Sequence, residues 1–157
     1  MERSPLVYLD ANVFIRAFES GPGEAGDLRL AFTYLQKQRI LAATSELTLA
    51  KLLAPNRRKD SRPPRFNVMR DFYLNLILWN GLIDLRPVTR ETVIATADLR
   101  QNFTFKLPDA IHVVTALETG CTFFLSGDQG TKRLPQGLIH LLPDEAGIRT
   151  LMEALRA

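Results

Sequence analysis

The sequence has little cysteine, few histidines and no long apolar run, and each shortage excludes a class of protein. Cys121 is the single cysteine among 157 residues, so neither an intramolecular disulfide nor a cysteine-rich zinc site is possible. No apolar stretch approaches the roughly 20 residues that a helix needs to cross a bilayer. The first residues lack the apolar core of a signal peptide. These shortages predict a cytoplasmic protein.

The overall composition is that of a globular protein. Hydrophobic residues make up 46% and charged residues 24%, which excludes a disordered chain. The 20 Lys and Arg against 17 Asp and Glu give a net charge of +3, which alone is weak evidence for a nucleic-acid partner. The length suits one domain, and neither a repeat nor a long linker divides it. We therefore predict a single domain over residues 1–157.

Short apolar segments alternate along the chain with segments of helical spacing. Five of these segments are predicted strands, at residues 6–9, 40–44, 82–85, 122–125 and 138–142. Short strands that are apolar on both faces and separated by helices form a parallel sheet that is covered on both sides. The sequence therefore predicts an α/β three-layer sandwich around a central, mainly parallel sheet of about five strands.

One predicted helix, from about residue 66 to 79, carries a long apolar stripe. Met69, Phe72 and Trp79 lie on this stripe at i, i+3/i+4 spacing and are predicted to be core residues. The same stripe could instead form the contact with a second copy or a protein partner.

Acidic residues fall where three of the predicted strands end. Asp10, Glu46 and Asp128 follow the first, second and fourth strands, and Asp109 lies in the first turn of a long helix. Each alone could be a helix cap, a first-turn acid or a turn residue. However, ligands of such sheets bind outside the carboxyl ends of the strands, and all four acids are placed to reach that edge. We therefore predict that they converge.

Converging carboxylates need a compensating positive charge, because like charges raise one another's pKa. Oxygen ligands with few nitrogen ligands suit Mg²⁺ or Mn²⁺. A divalent ion held in this way can polarise a phosphodiester oxygen and activate a water. The acids therefore indicate metal-dependent phosphodiester hydrolysis.

Four stretches together resemble the PIN domain of VapC-type toxin ribonucleases. They are LDANVFI at 9–15, TSELTLAKLL at 44–53, LPDAIHVVTALETGC at 107–121 and FLSGDQG at 124–130, and they extend over nearly the whole chain. The resemblance implies a metal-dependent ribonuclease that cuts single-stranded RNA with Mg²⁺ or Mn²⁺. It also implies inhibition by a cognate antitoxin and, as in many members, a homodimer.

The resemblance assigns roles to individual residues. The catalytic and metal-binding acids would be Asp10, Glu46, Asp109 and Asp128. Asn12 would help to order the water shell of the metal, and Ser126 matches the hydroxyl residue that precedes the last acid.

Two positions depart from the family pattern. Gly127 stands where the common pattern has Asn, and Lys51 stands where many members have a second glutamate after the Ser-Glu motif. The second departure bears on metal affinity and metal preference.

Basic residues are concentrated in one proline-rich loop, where Arg57 and Arg58 are the predicted RNA contacts. The alternative is a solvated loop with no ligand. His112 lies one helical turn after Asp109 and could be a ligand or general base, or a packed core histidine.

Two other functions compete with the nuclease. A haloacid-dehalogenase-like phosphatase would also place an Asp after the first strand, but its second Asp, two residues later, is Asn12 here. The other alternative is a non-catalytic module that binds RNA or protein. Acids that are splayed apart in the structure would favour the binding module, and acids within reach of one ion would favour hydrolysis.

Overall fold

A five-stranded parallel sheet forms the centre of the fold in our computed structural model, which describes residues 5–21, 23–54 and 63–157. All four strand pairings are parallel, and the strand order is β3-β2-β1-β4-β5. The strands are β1 Val7–Leu9, β2 Ala42–Ser45, β3 Ile83–Arg86, β4 Phe123–Leu125 and β5 Ile139–Leu141. The predicted fold class and strand number are therefore confirmed.

Seven α-helices of the described residues surround this sheet. They are α1 Ala11–Glu19, α2 Gly26–Gln38, α3 Glu46–Leu52, α4 Pro63–Leu74, α5 Arg90–Leu99, α6 Leu107–Thr119 and α7 Glu145–Arg156. No helix in the described ranges is long and apolar enough to cross a membrane.

The central strand β1 is buried on both faces because its side chains alternate between two cores. Val7 and Leu9 belong to the larger core, whereas Tyr8 packs into a second core that includes Val113 of α6 and Phe124 of β4. Alternate residues of a strand point to opposite faces, so both faces of β1 need apolar cover. This burial explains why the strands are nearly continuous apolar runs.

The position of β1 determines where a ligand can bind. It lies between β2 and β4, with β2 and β3 on one side of it in the sheet and β4 and β5 on the other. The crevice at such a switch of strand order opens at the carboxyl ends of the strands. Asp10 follows β1 directly at this place.

The apolar stripe of the fourth helix is interrupted, and its prediction as core is partly wrong. Met69 packs against the core, but Trp79 is 67% exposed and Phe72 is 38% exposed. The helix continues after Leu74 as a π-helical turn, Asn75–Trp79, in which the Asn80 N–H donates to the Asn75 carbonyl at 2.8 Å. The wider turn moves Trp79, its last residue, off the 3.6-residue period on which the prediction depended.

Candidate active site

Asp10 is the most deeply buried acid of the site and is also the N-cap of α1. Its side chain is 4% exposed, and its Oδ1 accepts the Ala11 N–H at 2.6 Å. Its Oδ2 accepts the Ser126 hydroxyl at 2.7 Å, and the Asn12 amide nitrogen lies 3.4 Å from the same oxygen. Asp10 can therefore be both a helix cap and a residue of the site, because Oδ1 accepts the first N–H of α1 and Oδ2 faces the loop after β4.

The loop after β4 is fastened to the end of β1 by two polar side chains. The Ser126 hydroxyl accepts the Asp128 N–H at 3.0 Å, and Asn12 Oδ1 accepts the Gly127 N–H at 3.2 Å. Asn12 and Ser126, which the sequence marked as residues of the site, thus lie between Asp10 and the loop that carries Asp128. At Gly127 a Cβ atom would meet Pro143 at 3.5 Å, an ordinary van der Waals distance, so the backbone there leaves space for a side chain.

Asp109 and Asp128 approach each other at the edge of the sheet. A Cβ atom on Gly130 would lie 3.2 Å from Asp128 Oδ1 and 3.6 Å from Asp109 Oδ2, so the two carboxylates flank this glycine. Asp128 Oδ1 also accepts the Gly130 N–H at 2.8 Å, which is the turn contact expected of an Asp between two glycines. As with Asp10, a local structural role and a place in the acidic cluster occur together.

The aspartates influence one another electrostatically. Partial burial, the charges of Asp128 and Asp10 and a hydrogen bond to Asp128 together raise the pKa of Asp109 to about 6, against the opposing charge of Lys106. Burial and neighbouring negative charge both disfavour the ionised form of an acid, and a bound cation would offset both. The three aspartates, Asp10, Asp109 and Asp128, are therefore called the aspartate cluster below.

His112 lies behind Asp10 and joins it to the core. Its Nε2 is 3.5 Å from Asp10 Oδ1, and its Nδ1 is 2.6 Å from the Tyr8 hydroxyl. Burial lowers the pKa of His112, with the Asp10 carboxylate opposing and the Lys51 charge adding to that effect. Burial also raises the pKa of Tyr8, so its hydroxyl keeps the proton. A neutral imidazole with its proton on Nε2 would turn that proton towards Asp10 and accept from the Tyr8 hydroxyl at Nδ1.

Glu46, the fourth predicted acid, is the exposed first residue of α3. The residue of α3 whose charge reaches the site is Lys51. The assignment of Glu46 as a metal ligand thus stays a prediction from the sequence pattern.

The donor set fits a divalent ion with few protein ligands. In the described ranges, no group of three or more His, Cys, Asp or Glu side chains is arranged to hold a metal ion by itself. Mg²⁺ keeps several of its waters and is commonly bound through one or two carboxylates, so the Asp109 and Asp128 pair with Asp10 beside it meets that requirement. The approach of Asp109 and Asp128 at Gly130, with the pKa of Asp109 raised by burial and by the charges of Asp128 and Asp10, is the observation in favour of a cation.

Arg57 and Arg58, the predicted RNA contacts, lie outside the residues that the structure describes. The sequence gave no role in the site to Tyr8 or Lys106, and it marked Lys51 only as a departure from the family pattern. Tyr8 precedes Asp10 by two residues on a buried strand, and a tyrosine without exposure requires a polar partner. That requirement was the available signal for the Tyr8–His112 contact.

Comparison with known structures places the chain among toxin–antitoxin proteins in fold. A chain of VapBC2 from Rickettsia felis, solved bound to a DNA fragment from their promoter, is 16% identical with a TM-score of 0.65, covering 87% of this chain and 97% of that one. A chain of DNA-bound VapBC from Salmonella typhimurium is 14% identical with a TM-score of 0.64, covering 89% and 99%. A chain of a toxin–antitoxin complex from Klebsiella pneumoniae is 16% identical with a TM-score of 0.60, covering 88% and 98%.

The family is shown by sequence. No curated protein matches the chain. The model of the PIN domain matches residues 7–136, which include β1, β4 and every acid discussed above. This chain therefore belongs to the PIN domain family.

Proposed function

We propose that this protein is a metal-dependent ribonuclease that hydrolyses phosphodiester bonds in single-stranded RNA and is the toxin of a toxin–antitoxin pair. The observation that carries the proposal is the aspartate cluster, in which Asp109 and Asp128 flank Gly130, and in which burial and the charges of Asp128 and Asp10 raise the pKa of Asp109 to about 6. Membership of the PIN domain family and the toxin–antitoxin structures of the same fold support it.

Asp109 and Asp128 would hold Mg²⁺ or Mn²⁺ with Asp10 beside them, and Glu46 is a further ligand predicted from the sequence pattern. When bound, the ion supplies a Lewis acid beside the phosphodiester and a source of nucleophilic water. Ser126 and Asn12 hold Asp10 and the loop of Asp128 in register, so these residues position the donors. The buried imidazole of His112 limits the rotation of Asp10 from the other side.

Basic residues beside the aspartate cluster provide contacts for the RNA backbone. Lys106 precedes the helix of Asp109, and Lys132 and Arg133 follow the turn that begins at Asp128; all three are exposed. The Arg133 guanidinium lies 5.3 Å from the centre of the Phe103 ring. Phosphate contacts by lysines together with stacking on arginine and aromatic planes are typical of single-strand binding. These residues and the predicted Arg57 and Arg58 would hold the RNA against the acids.

The partner and the setting follow from the same proposal. A toxin that cleaves cellular RNA requires a cognate antitoxin, and the structures with the same fold include toxin–antitoxin complexes. The homodimer and the cytoplasmic location expected from the sequence are part of this proposal.

The decisive experiment is cleavage of a mixed pool of single-stranded RNA by purified protein with and without Mn²⁺, beside Asp10→Asn. An asparagine keeps the helix cap, so the variant should fold while it loses the carboxylate. Asp98→Asn, at an exposed position of α5, is the matched control for the loss of one negative charge.

We expect cleavage that requires Mn²⁺, is lost in Asp10→Asn and is retained in Asp98→Asn. Cleavage that persists in Asp10→Asn or in EDTA would contradict the proposal. RNA that binds but is never cut by folded, antitoxin-free protein would instead favour the non-catalytic module.

A further inference from the structure

The inner face of α3 is joined to the end of β1 by a chain of hydroxyl groups. Thr44 Oγ1 lies 2.7 Å from the Leu9 carbonyl oxygen and 2.8 Å from Thr48 Oγ1. Both threonines are fully buried, and Leu9 is the residue before Asp10. The side of α3 that carries Thr48 therefore faces the place where the aspartate cluster begins.

Helical geometry decides which charged residue of α3 shares this side. At about 100° per residue, Lys51 lies within about 60° of Thr48 around the helix axis, whereas Glu46 lies about 160° from it. Glu46 is exposed at the first position of the helix. Lys51 is exposed as well, so it is the charged residue of α3 that lies towards the Thr48 side of the helix and is open to a ligand.

Lys51 follows Thr48 by one helical turn, so it lies beside the hydroxyl chain that leads to Leu9 and Asp10. In agreement with this position, its charge acts on the buried His112, whose Nε2 lies 3.5 Å from Asp10 Oδ1. Lys106 adds a second positive charge, on the side of Asp109. The aspartate cluster therefore has two lysines at its edge, Lys106 on the side of Asp109 and Lys51 on the side of α3.

A positive charge on the side of α3 has two consequences. It repels a divalent cation on the α3 side of Asp10, so the positions open to metal are confined to the side of Asp109 and Asp128. It also attracts a phosphate group, for which lysine is a common point-charge ligand.

We propose that Lys51 is a built-in cation of the site, which binds a phosphate oxygen of the nucleic acid and excludes a second divalent ion from the α3 side of Asp10. This inference rests on the proposed nuclease function and adds a substrate-binding residue to it. The site would then operate with one divalent ion.

The first test is a titration of Mn²⁺ by isothermal calorimetry, which requires no cleavage. The variants are Lys51→Glu and, as a matched control, Lys37→Glu, an exposed lysine in the last turn of α2. We expect one Mn²⁺ for the wild-type protein. In Lys51→Glu we expect either a second Mn²⁺ or an affinity that is tighter by about tenfold or more, because a nearby charge is reversed. Lys37→Glu should bind Mn²⁺ as the wild type does.

The second test measures the phosphate contact in the absence of metal. A 2′-O-methyl RNA oligonucleotide in EDTA is titrated with Lys51→Gln and Lys37→Gln at several salt concentrations. Loss of one phosphate contact on a single strand should flatten the slope of log K against log salt by about 0.7. We expect this change in Lys51→Gln, and the slope of Lys37→Gln should remain that of the wild type.

The outcomes separate this inference from the function on which it rests. If wild-type protein binds Mn²⁺ and the two glutamate variants behave alike, or if the two glutamine variants share one salt slope, the inference is overturned while the nuclease stands. If the wild type binds no Mn²⁺ but Lys51→Glu does, exclusion by Lys51 is supported and metal dependence of the natural protein fails. If neither binds Mn²⁺, both are overturned.

Discussion

Ser126 and Asp10 are joined by a buried hydrogen bond of 2.7 Å across 116 residues of sequence. The same Ser126 hydroxyl accepts the Asp128 N–H at 3.0 Å. One hydroxyl therefore fixes the relative position of two acids that come from different strands, and it does so without carrying charge itself.

Replacement of this hydroxyl should loosen the site and lower stability. In Ser126→Ala the buried Asp10 oxygen loses a donor, which should lower the free energy of unfolding by about 1–3 kcal/mol. The affinity for Mn²⁺ should also fall by about tenfold, the effect usual for residues that orient metal ligands. Chemical denaturation and calorimetry measure the two effects.

The control for this change is Ser20→Ala at the end of α1, where the hydroxyl bonds the Arg16 carbonyl at 2.6 Å in an exposed position. It should leave Mn²⁺ affinity unchanged and stability within about 0.5 kcal/mol. An Mn²⁺ affinity of Ser126→Ala equal to that of the control would show that Asp10 and Asp128 are positioned by other contacts.

The raised pKa of Asp109 predicts how metal-free protein responds to pH. Because its pKa is about 6 in the folded state against 3.8 as the ordinary value, the folded state binds more protons between those values. Stability from this group is then full below about pH 4 and is lost as pH rises towards 6.

Asp109→Asn should therefore be more stable than the wild type in EDTA at pH 7, by about 1 kcal/mol after allowance for solvent screening of a half-buried group. The difference should vanish near pH 4. Urea denaturation from pH 4 to 8 measures it. An equal difference between the two proteins at both ends of this range would contradict the shifted titration.

Much of the fold could be predicted from the sequence because its signals are local. Apolar segments predicted the strands, and the acids at their ends predicted the ligand-binding edge. The assignments that depend on side-chain direction could not be made from local signals. Glu46 follows its strand as Asp10 does, yet a helix begins at that residue, so its distance from the cluster depends on the rotation of α3. The departure at Lys51 was visible, but its proximity to His112 arises only when α3 packs in three dimensions.

The π-helical turn also explains a failed prediction and leads to a test. Trp79 is 67% exposed, whereas Ile77 of the same turn is 2% exposed. Trp79→Ala should change the free energy of unfolding by less than about 1 kcal/mol, and Ile77→Ala should lower it by about 2–5 kcal/mol.

Tryptophan fluorescence offers an independent check, because Trp79 is the single tryptophan of the chain. The native emission should lie near that of a solvated indole and be quenched readily by iodide. A blue-shifted emission that iodide does not quench would show that this side chain is covered in solution.

The contact between Tyr8 and His112 predicts a single imidazole tautomer. Because Nε2 lies 3.5 Å from the Asp10 carboxylate, the His112 proton should reside on Nε2, which leaves Nδ1 to accept from the Tyr8 hydroxyl at 2.6 Å. Long-range ¹H–¹⁵N NMR at pH 7 should show this tautomer in the wild type. Tyr8→Phe removes the donor and should give a mixture of tautomers. A wild-type His112 protonated on Nδ1 would reverse the direction of this hydrogen bond.

Gly147, near the start of α7, is predicted to be irreplaceable for steric reasons. A Cβ atom there would overlap the carbonyl oxygen of Leu142, a backbone atom of the segment that links β5 to α7. The glycine also donates its N–H to Asp144 Oδ1 at 2.8 Å, so the backbone has little freedom to retreat. Gly147→Ala should therefore destabilise the protein by about 2 kcal/mol or more.

Gly26 at the start of α2 provides the matched control, because no atom lies within 4 Å of a Cβ placed there. Gly26→Ala should be neutral or stabilising by up to about 1 kcal/mol, since alanine restricts the unfolded chain and favours the helix. Thermal denaturation of the two variants beside the wild type measures the contrast. Equal melting temperatures for the two variants would mean that the β5–α7 connection shifts to accommodate a methyl group, and the close packing of Gly147 against Leu142 would not be a constraint on this fold.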